Sequence, residues 1–76
     1  MTFTGLIIDG AAGPISLRQS EWEHIRDVAA EFPDATRHWW SVYLTAYLRR
    51  TISEPDAVTI LRTISQYVGA RWRLPG

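Results

Sequence analysis

Four large aromatic residues lie within nine positions of this chain: Trp39, Trp40, Tyr43 and Tyr47. On a helix that turns about 100° per residue, they spread over an arc of about 100°, and neighbouring apolar residues widen this surface to about 160°. An outer helix of a small domain usually has a narrower apolar stripe. The pattern therefore predicts a helix that faces its own core and also a second surface, either another layer of the domain or a partner.

The chain has 76 residues and no cysteine. This length predicts a single domain, residues 1–76, of marginal stability. Without cysteine, disulfides and thiolate metal sites are excluded. Hydrophobic residues make up 46% of the chain, enough for a core. Self-association is the remaining means of stabilisation, and we expect a homodimer through the broad aromatic face.

The net charge is zero over the whole chain but is divided unevenly along it. Residues 1–36 carry six acidic residues and two arginines, a net charge of −4, and residues 37–76 carry the reverse, +4. The N-terminus lacks the basic and apolar regions of a signal peptide, and no segment reaches the roughly 20 apolar residues of a membrane span. We therefore expect a cytoplasmic protein that does not enter a membrane.

Two short segments with alternating polarity, residues 3–8 and 15–18, flank turn residues at 9–14. They predict an N-terminal β-hairpin with a loop of four to six residues. The tail, residues 70–76, alternates apolar residues with arginine. It is read either as a third strand, with Ala70, Trp72 and Leu74 inward, or as a flexible arm.

The first of three predicted helices begins at a capping box formed by Ser20 and Glu23 and ends at Phe32, where Pro33 stops it. Its expected buried face includes Phe32 and Trp22, which should be a core residue.

The second predicted helix runs from an Asp34 cap to about Arg50. Ser53, with Pro55 in the first turn, starts the third, which ends at Gly69. The expected buried stripe of this third helix includes Tyr67. We therefore predict an α+β fold, a small N-terminal hairpin packed on three α-helices. A three-helix bundle with extended arms is the alternative.

Catalytic and metal-binding patterns are weak. Glu21 and His24 have the Glu-x-x-His spacing of helical di-metal sites, but those sites require a second such motif and further carboxylates. The serines have turn, cap or polar-face explanations, and a domain of this size has little room for a substrate pocket. We predict a protein that is not an enzyme and has no cofactor or metal.

Protein binding is the function that the composition favours, because interfaces are enriched in tryptophan, tyrosine and arginine. Adjacent tryptophans about 100° apart cannot both point inward, so one of the pair is expected to be exposed. Glu23, Asp27 and Glu31 form an acidic stripe on the first helix. Arg26 lies about 60–140° around the helix from these acids and should neutralise them poorly, so the stripe should steer a partner. The candidate partner-binding residues are Trp39, Trp40, Tyr43, Arg37, Arg49, Arg50, Glu23, Asp27 and Glu31.

The predicted function is thus a small protein-binding module, an adaptor, antitoxin-like regulator or phage-type inhibitor of a kind common in bacteria and phages. The alternative is a nucleic-acid-binding regulator that uses the arginine-rich second half. Arg71 and Arg73 flank Trp72, an arrangement that suits single strands by stacking and neutralisation.

Overall fold

An antiparallel hairpin precedes three helices in the computed structural model, which describes residues 5–70, 72, 74 and 75. The strands are β1, Leu6–Gly10, and β2, Gly13–Leu17, and the helices are α1, Gln19–Glu31, α2, Arg37–Leu48, and α3, Glu54–Val68. The predicted α+β fold, a hairpin on three helices, is confirmed.

The hairpin turn is tighter than the sequence indicated. Gly10 pairs with Gly13, so only two alanines join the strands, and the predicted loop of four to six residues is wrong. Asp9 and Pro14, which had been assigned to the loop, extend the ladder as a pair. The short turn is possible because Gly13 has a φ of 127°, a backbone conformation that glycine adopts readily.

One face of the hairpin packs on the helices. Ile8 and its cross-strand partner Ile15 are buried, whereas Ile7 points away and is 66% exposed. The backbone N–H of Ala11 donates to the Asp56 carboxylate of α3 at 3.1 Å, which fixes the turn over the start of that helix. The hairpin therefore buries one side, as the period-two pattern of a half-buried sheet requires.

Helix α3 lies at the centre and packs against α2, α1 and β1. The buried hydrophobic residues are Ile8, Ile15, Leu17, Trp22, Ile25, Val28, Trp40, Leu44, Ile52, Ala57, Ile60, Leu61 and Ile64. Both ends of α3 are as predicted, with the Ser53 hydroxyl accepting from the N–H of Asp56 and Gly69 in the left-handed conformation. The prediction that Tyr67 belongs to the buried stripe is wrong. Tyr67 is half exposed, and its ring meets the Trp22 ring at an angle of 73°.

Helix α1 begins earlier than predicted. Its N-cap is Arg18, whose backbone N–H donates to the Glu21 carboxylate at 2.8 Å, so the Ser20 capping box is wrong. Glu23 instead accepts from the side-chain amide of Gln19. Trp22 is buried as predicted.

Phe32 does not join the core. It is the C-cap of α1, with a φ of −124°, so the helical phase is lost before this residue. Its ring is 50% exposed and contacts Trp39, which makes the predicted core position wrong.

Helix α2 is shorter than predicted at both ends. The Thr36 hydroxyl accepts from the N–H of Trp39 and caps the helix in place of Asp34, because residues 32–35 form a turn first. Arg49 has a φ of 56°, in the left-handed region, so the helix ends before Arg50.

The described tail residues, Ala70, Trp72, Leu74 and Pro75, belong to no strand, and the described sheet has two strands. Trp72 and Leu74 are half buried and pack against the core. The third-strand interpretation is therefore not found among the described residues.

Candidate protein-binding surface

A row of aromatic rings crosses the outside of the α1–α2 pair. We call Phe32, Trp39, Tyr43, Tyr47 and His24 the aromatic row. The Trp39 and Tyr43 rings are stacked, with centroids 5.1 Å apart and planes 4° apart, and the Tyr43 and Tyr47 rings follow at 6.0 Å and 9°. Phe32 extends the row at one end, 5.6 Å from Trp39. The row exists because α2 residues 39, 43 and 47 are four apart and share one helix face.

The two adjacent tryptophans have different positions. Trp40 is 2% exposed and belongs to the core, so it is not available to a partner, although it is among the predicted contacts. Its ring lies perpendicular to the Trp39 ring, with centroids 5.2 Å apart, and thus supports the row from the core side. Trp39 is 37% exposed, and the next residue on this face, Val42, is 58% exposed. One tryptophan of the pair is inward and the other outward, as predicted.

His24 of α1 closes the other end of the row. Its ring stacks on Tyr47 with centroids 4.7 Å apart, and its Nε2 lies 2.6 Å from the Tyr43 hydroxyl. Burial raises the pKa of Tyr43, and the neighbouring Tyr47 adds to the rise. Tyr43 therefore keeps its proton at neutral pH and can donate to an unprotonated Nε2. This contact ties α1 to α2 across the row.

The acidic stripe, Glu23, Asp27 and Glu31, borders the row on α1. Asp27 and Glu31 are exposed and lie three and seven residues after His24, on the face that meets α2. Arg26 Nη2 lies 3.2 Å from Asp27 Oδ1, so the prediction that Arg26 neutralises the stripe poorly is wrong for this one acid. A flexible arginine stem reaches an adjacent residue despite the rotation between them.

An open depression of about 480 Å³ lies where the stripe meets the row. It is lined by Glu31, Phe32, Pro33, Asp34, Ala35, Thr36 and Trp39. No described side chain forms an ion pair with Glu31 or Asp34. Two aromatic and two acidic residues therefore line the same depression.

The predicted arginines do not converge on this surface. Arg37 pairs with Glu54, whose carboxylate lies 3.3 Å from the arginine Nε. Arg49 and Arg50 lie at the opposite end of a 12-residue helix, about 18 Å away at 1.5 Å per residue. Arg50 donates to the Pro14 carbonyl oxygen of the hairpin.

The nucleic-acid set is only partly described. Arg71 and Arg73 lie outside the described residues, and Trp72 packs against the core. Among the described arginines, Arg37 and Arg50 are engaged with Glu54 and with the Pro14 carbonyl oxygen.

Among the described residues, no three histidine or acidic side chains come together as a metal site. His24 is hydrogen-bonded to Tyr43, and the Glu21 carboxylate accepts a hydrogen bond from the backbone N–H of Arg18. No helix of the described chain combines the length and apolar character that a membrane crossing requires.

Sequence reasoning missed Phe32, His24 and Val42 as parts of this surface. Phe32 precedes Pro33, and this dipeptide signalled that helical phase would be lost at the aromatic residue. His24 and Val42 carried no comparable signal, because their roles depend on how α1 and α2 pack together.

Comparison of the chain with protein-family models, with characterised proteins and with solved structures gives no match.

Proposed function

We propose that this protein is a small non-enzymatic protein-binding module whose contact surface is the aromatic row. The observation that carries the proposal is the exposed pair Phe32 and Trp39, whose ring centroids lie 5.6 Å apart, with the Trp39 ring stacked on the partly buried Tyr43. Tryptophan and tyrosine dominate the energetic centres of protein interfaces, because they bury a large area with few rotatable bonds.

The row is also held in place before any partner arrives. The Trp39 ring stacks on Tyr43 and meets the buried Trp40 ring at right angles, and the Tyr43 hydroxyl is hydrogen-bonded to His24. A surface ordered in advance loses less conformational entropy on binding. An interface of standard size, about 800 Å² on each partner, would cover about a sixth of the 5136 Å² surface.

Two features favour a protein over a nucleic acid at this surface. Stacking within the row occupies most ring faces, whereas single-stranded bases need free faces on which to stack. The bordering Asp27, Glu31 and Asp34 are acidic and would repel phosphate. Occupation of a partner's surface is the action that an adaptor, inhibitor or antitoxin-like regulator requires.

Site-specific photocrosslinking in the source cell tests this proposal. A benzophenone amino acid replaces Val42, beside Trp39, or Ile7, which is equally exposed on the hairpin. We expect one defined protein to be crosslinked from position 42 and not from position 7. Crosslinking of that protein from position 7 alone, or of nothing from position 42, would contradict the proposal.

A further inference from the structure

Aromatic and acidic residues occur together in the depression beside the aromatic row. Its lining residues include Phe32 and Trp39, whose ring centroids lie 5.6 Å apart, and the acidic residues Glu31 and Asp34. Aromatic faces attract cations through their quadrupole, and carboxylates attract them through charge. Together they favour a positively charged group.

Nearby basic residues of the described chain are engaged elsewhere. Arg37 and His38, which follow the depression in sequence, both approach the Glu54 carboxylate at 3.3 Å. Arg26 pairs with Asp27. The charge of Glu31 and Asp34 is thus not balanced by a described ion pair.

The walls of the depression are fixed by hydrogen bonds and stacking. The N–H of Ala35 donates to the Phe32 carbonyl oxygen, and the N–H of Trp39 donates to the Thr36 hydroxyl. The Trp39 ring stacks on Tyr43 through one face and meets the Trp40 ring at an angle of 89°. A ligand would therefore meet a preformed surface.

We propose that this depression receives an arginine side chain of the partner protein, an inference that rests on the proposed function. A guanidinium is planar, stacks on aromatic rings and donates in pairs to carboxylates, and it loses less hydration than an ammonium. Charge complementarity selects this occupant, because Glu31 and Asp34 would repel an acidic segment. The partner then presents an exposed arginine within an apolar patch that covers Trp39 and Val42.

NMR titration of the isotope-labelled chain with N-acetyl-arginine methylamide tests the inference, with the citrulline analogue as the neutral isostere. We expect saturable shifts of the Trp39 indole N–H and of amides 31–39. Citrulline should bind about tenfold more weakly, the size of one strong cation–π or charge contact. Equal binding of the two probes, or shifts spread over other acidic residues, would overturn the inference.

A pair of double variants with equal charge change gives the matched control. Glu31→Gln/Asp34→Asn should weaken arginine binding about tenfold. Asp9→Asn/Glu21→Gln, which removes the same charge elsewhere and leaves an acceptor for the Arg18 N–H, should leave it unchanged. Equal losses in both variants would show general electrostatic attraction and overturn the inference.

Two further outcomes would assign the depression to another occupant and overturn the inference. Tighter probe binding by Arg71→Gln/Arg73→Gln would show that the chain's own tail competes for it. A dimer that dissociates on Arg49→Gln, with gain of probe binding, would show that a second copy fills it.

The proposed function and this inference can fail separately. Failed arginine binding with partner crosslinking at position 42 intact refutes the inference alone. Arginine binding without any crosslinked partner refutes the proposed function alone.

Discussion

Trp39 and Trp40 show how one residue step separates a core role from a surface role. Trp40→Ala should cost about 3–5 kcal/mol of unfolding free energy, because it leaves a large cavity among buried residues. Trp39→Ala should cost about 1–2 kcal/mol, since the lost stacking is partly exposed to water. Urea denaturation followed by circular dichroism measures both. Equal costs would mean that Trp39 is as deeply packed as Trp40.

Tyr43 makes a pH-dependent contribution to stability. Its pKa is raised by burial and then by Tyr47, so the folded protein holds the phenol proton more tightly than the unfolded chain does. Stability is therefore unaffected below the unfolded pKa of about 10 and falls as pH rises above it.

Tyr43→Phe should remove that alkaline loss. Wild-type unfolding free energy should fall more steeply above pH about 10 than that of the variant, measured by urea titration across the pH range. Tyr67→Phe, which removes a hydroxyl on α3, is the control and should retain the wild-type slope. Parallel slopes for wild type and Tyr43→Phe would contradict the assignment.

At the scale of elements, local signals predicted α3 better than α1 or α2. Ser53 and Gly69 are both at the ends of α3 as expected, because a serine cap and a left-handed glycine act within one turn of the chain. The starts of α1 and α2 had several polar residues in competition. The choice of Arg18 and Thr36 depended on turns and neighbouring elements that the local sequence does not encode.

The hairpin turn depends on the backbone of one glycine. Gly13→Ala should cost about 1–3 kcal/mol, because a side chain at a φ of 127° is strained whatever space surrounds it. Thermal denaturation measures the loss. Ser16→Ala, exposed on the same strand, should change stability by less than about 0.5 kcal/mol. Comparable losses in the two variants would contradict a special role for the turn.

The acidic stripe of α1 should serve binding rather than stability. Replacing Glu23, Asp27 and Glu31 together by glutamine should leave the unfolding free energy within about 1 kcal/mol of wild type, because exposed charges contribute little. The association rate with a partner should fall at low salt, measured by stopped-flow fluorescence. A larger stability loss would indicate buried ion pairs and contradict the steering role.

At the scale of the whole molecule, the sequence predicted the hairpin-on-helices architecture and the concentration of aromatic surface on α2. It could not predict which of these aromatic residues are buried and which are exposed, because that depends on how α2 packs against the rest of the core. The depression was also out of reach, since Phe32 and Trp39 meet only across the turn between α1 and α2.

The described ion pairs do not connect the acidic first half of the chain with the basic second half. The ion pairs among described residues each join partners from the same half, Arg18–Glu21 and Arg26–Asp27 in the first and Arg37 or His38 with Glu54 in the second.

Self-association through the aromatic row remains a prediction. Sedimentation should show a reversible dimer at high concentration that Trp39→Ala abolishes, and a strict monomer would refute it.

The affinity of the crosslinked partner for three purified variants tests the central claim most directly. By titration calorimetry, Trp39→Ala should weaken binding about 30-fold or more, the effect of a hot-spot loss near 2 kcal/mol. Ile7→Ser, which alters a more exposed apolar residue on the hairpin, should bind as wild type does. Unchanged affinity of a folded Trp39→Ala protein, or an equal loss in Ile7→Ser, would contradict the assignment of the aromatic row as the binding surface.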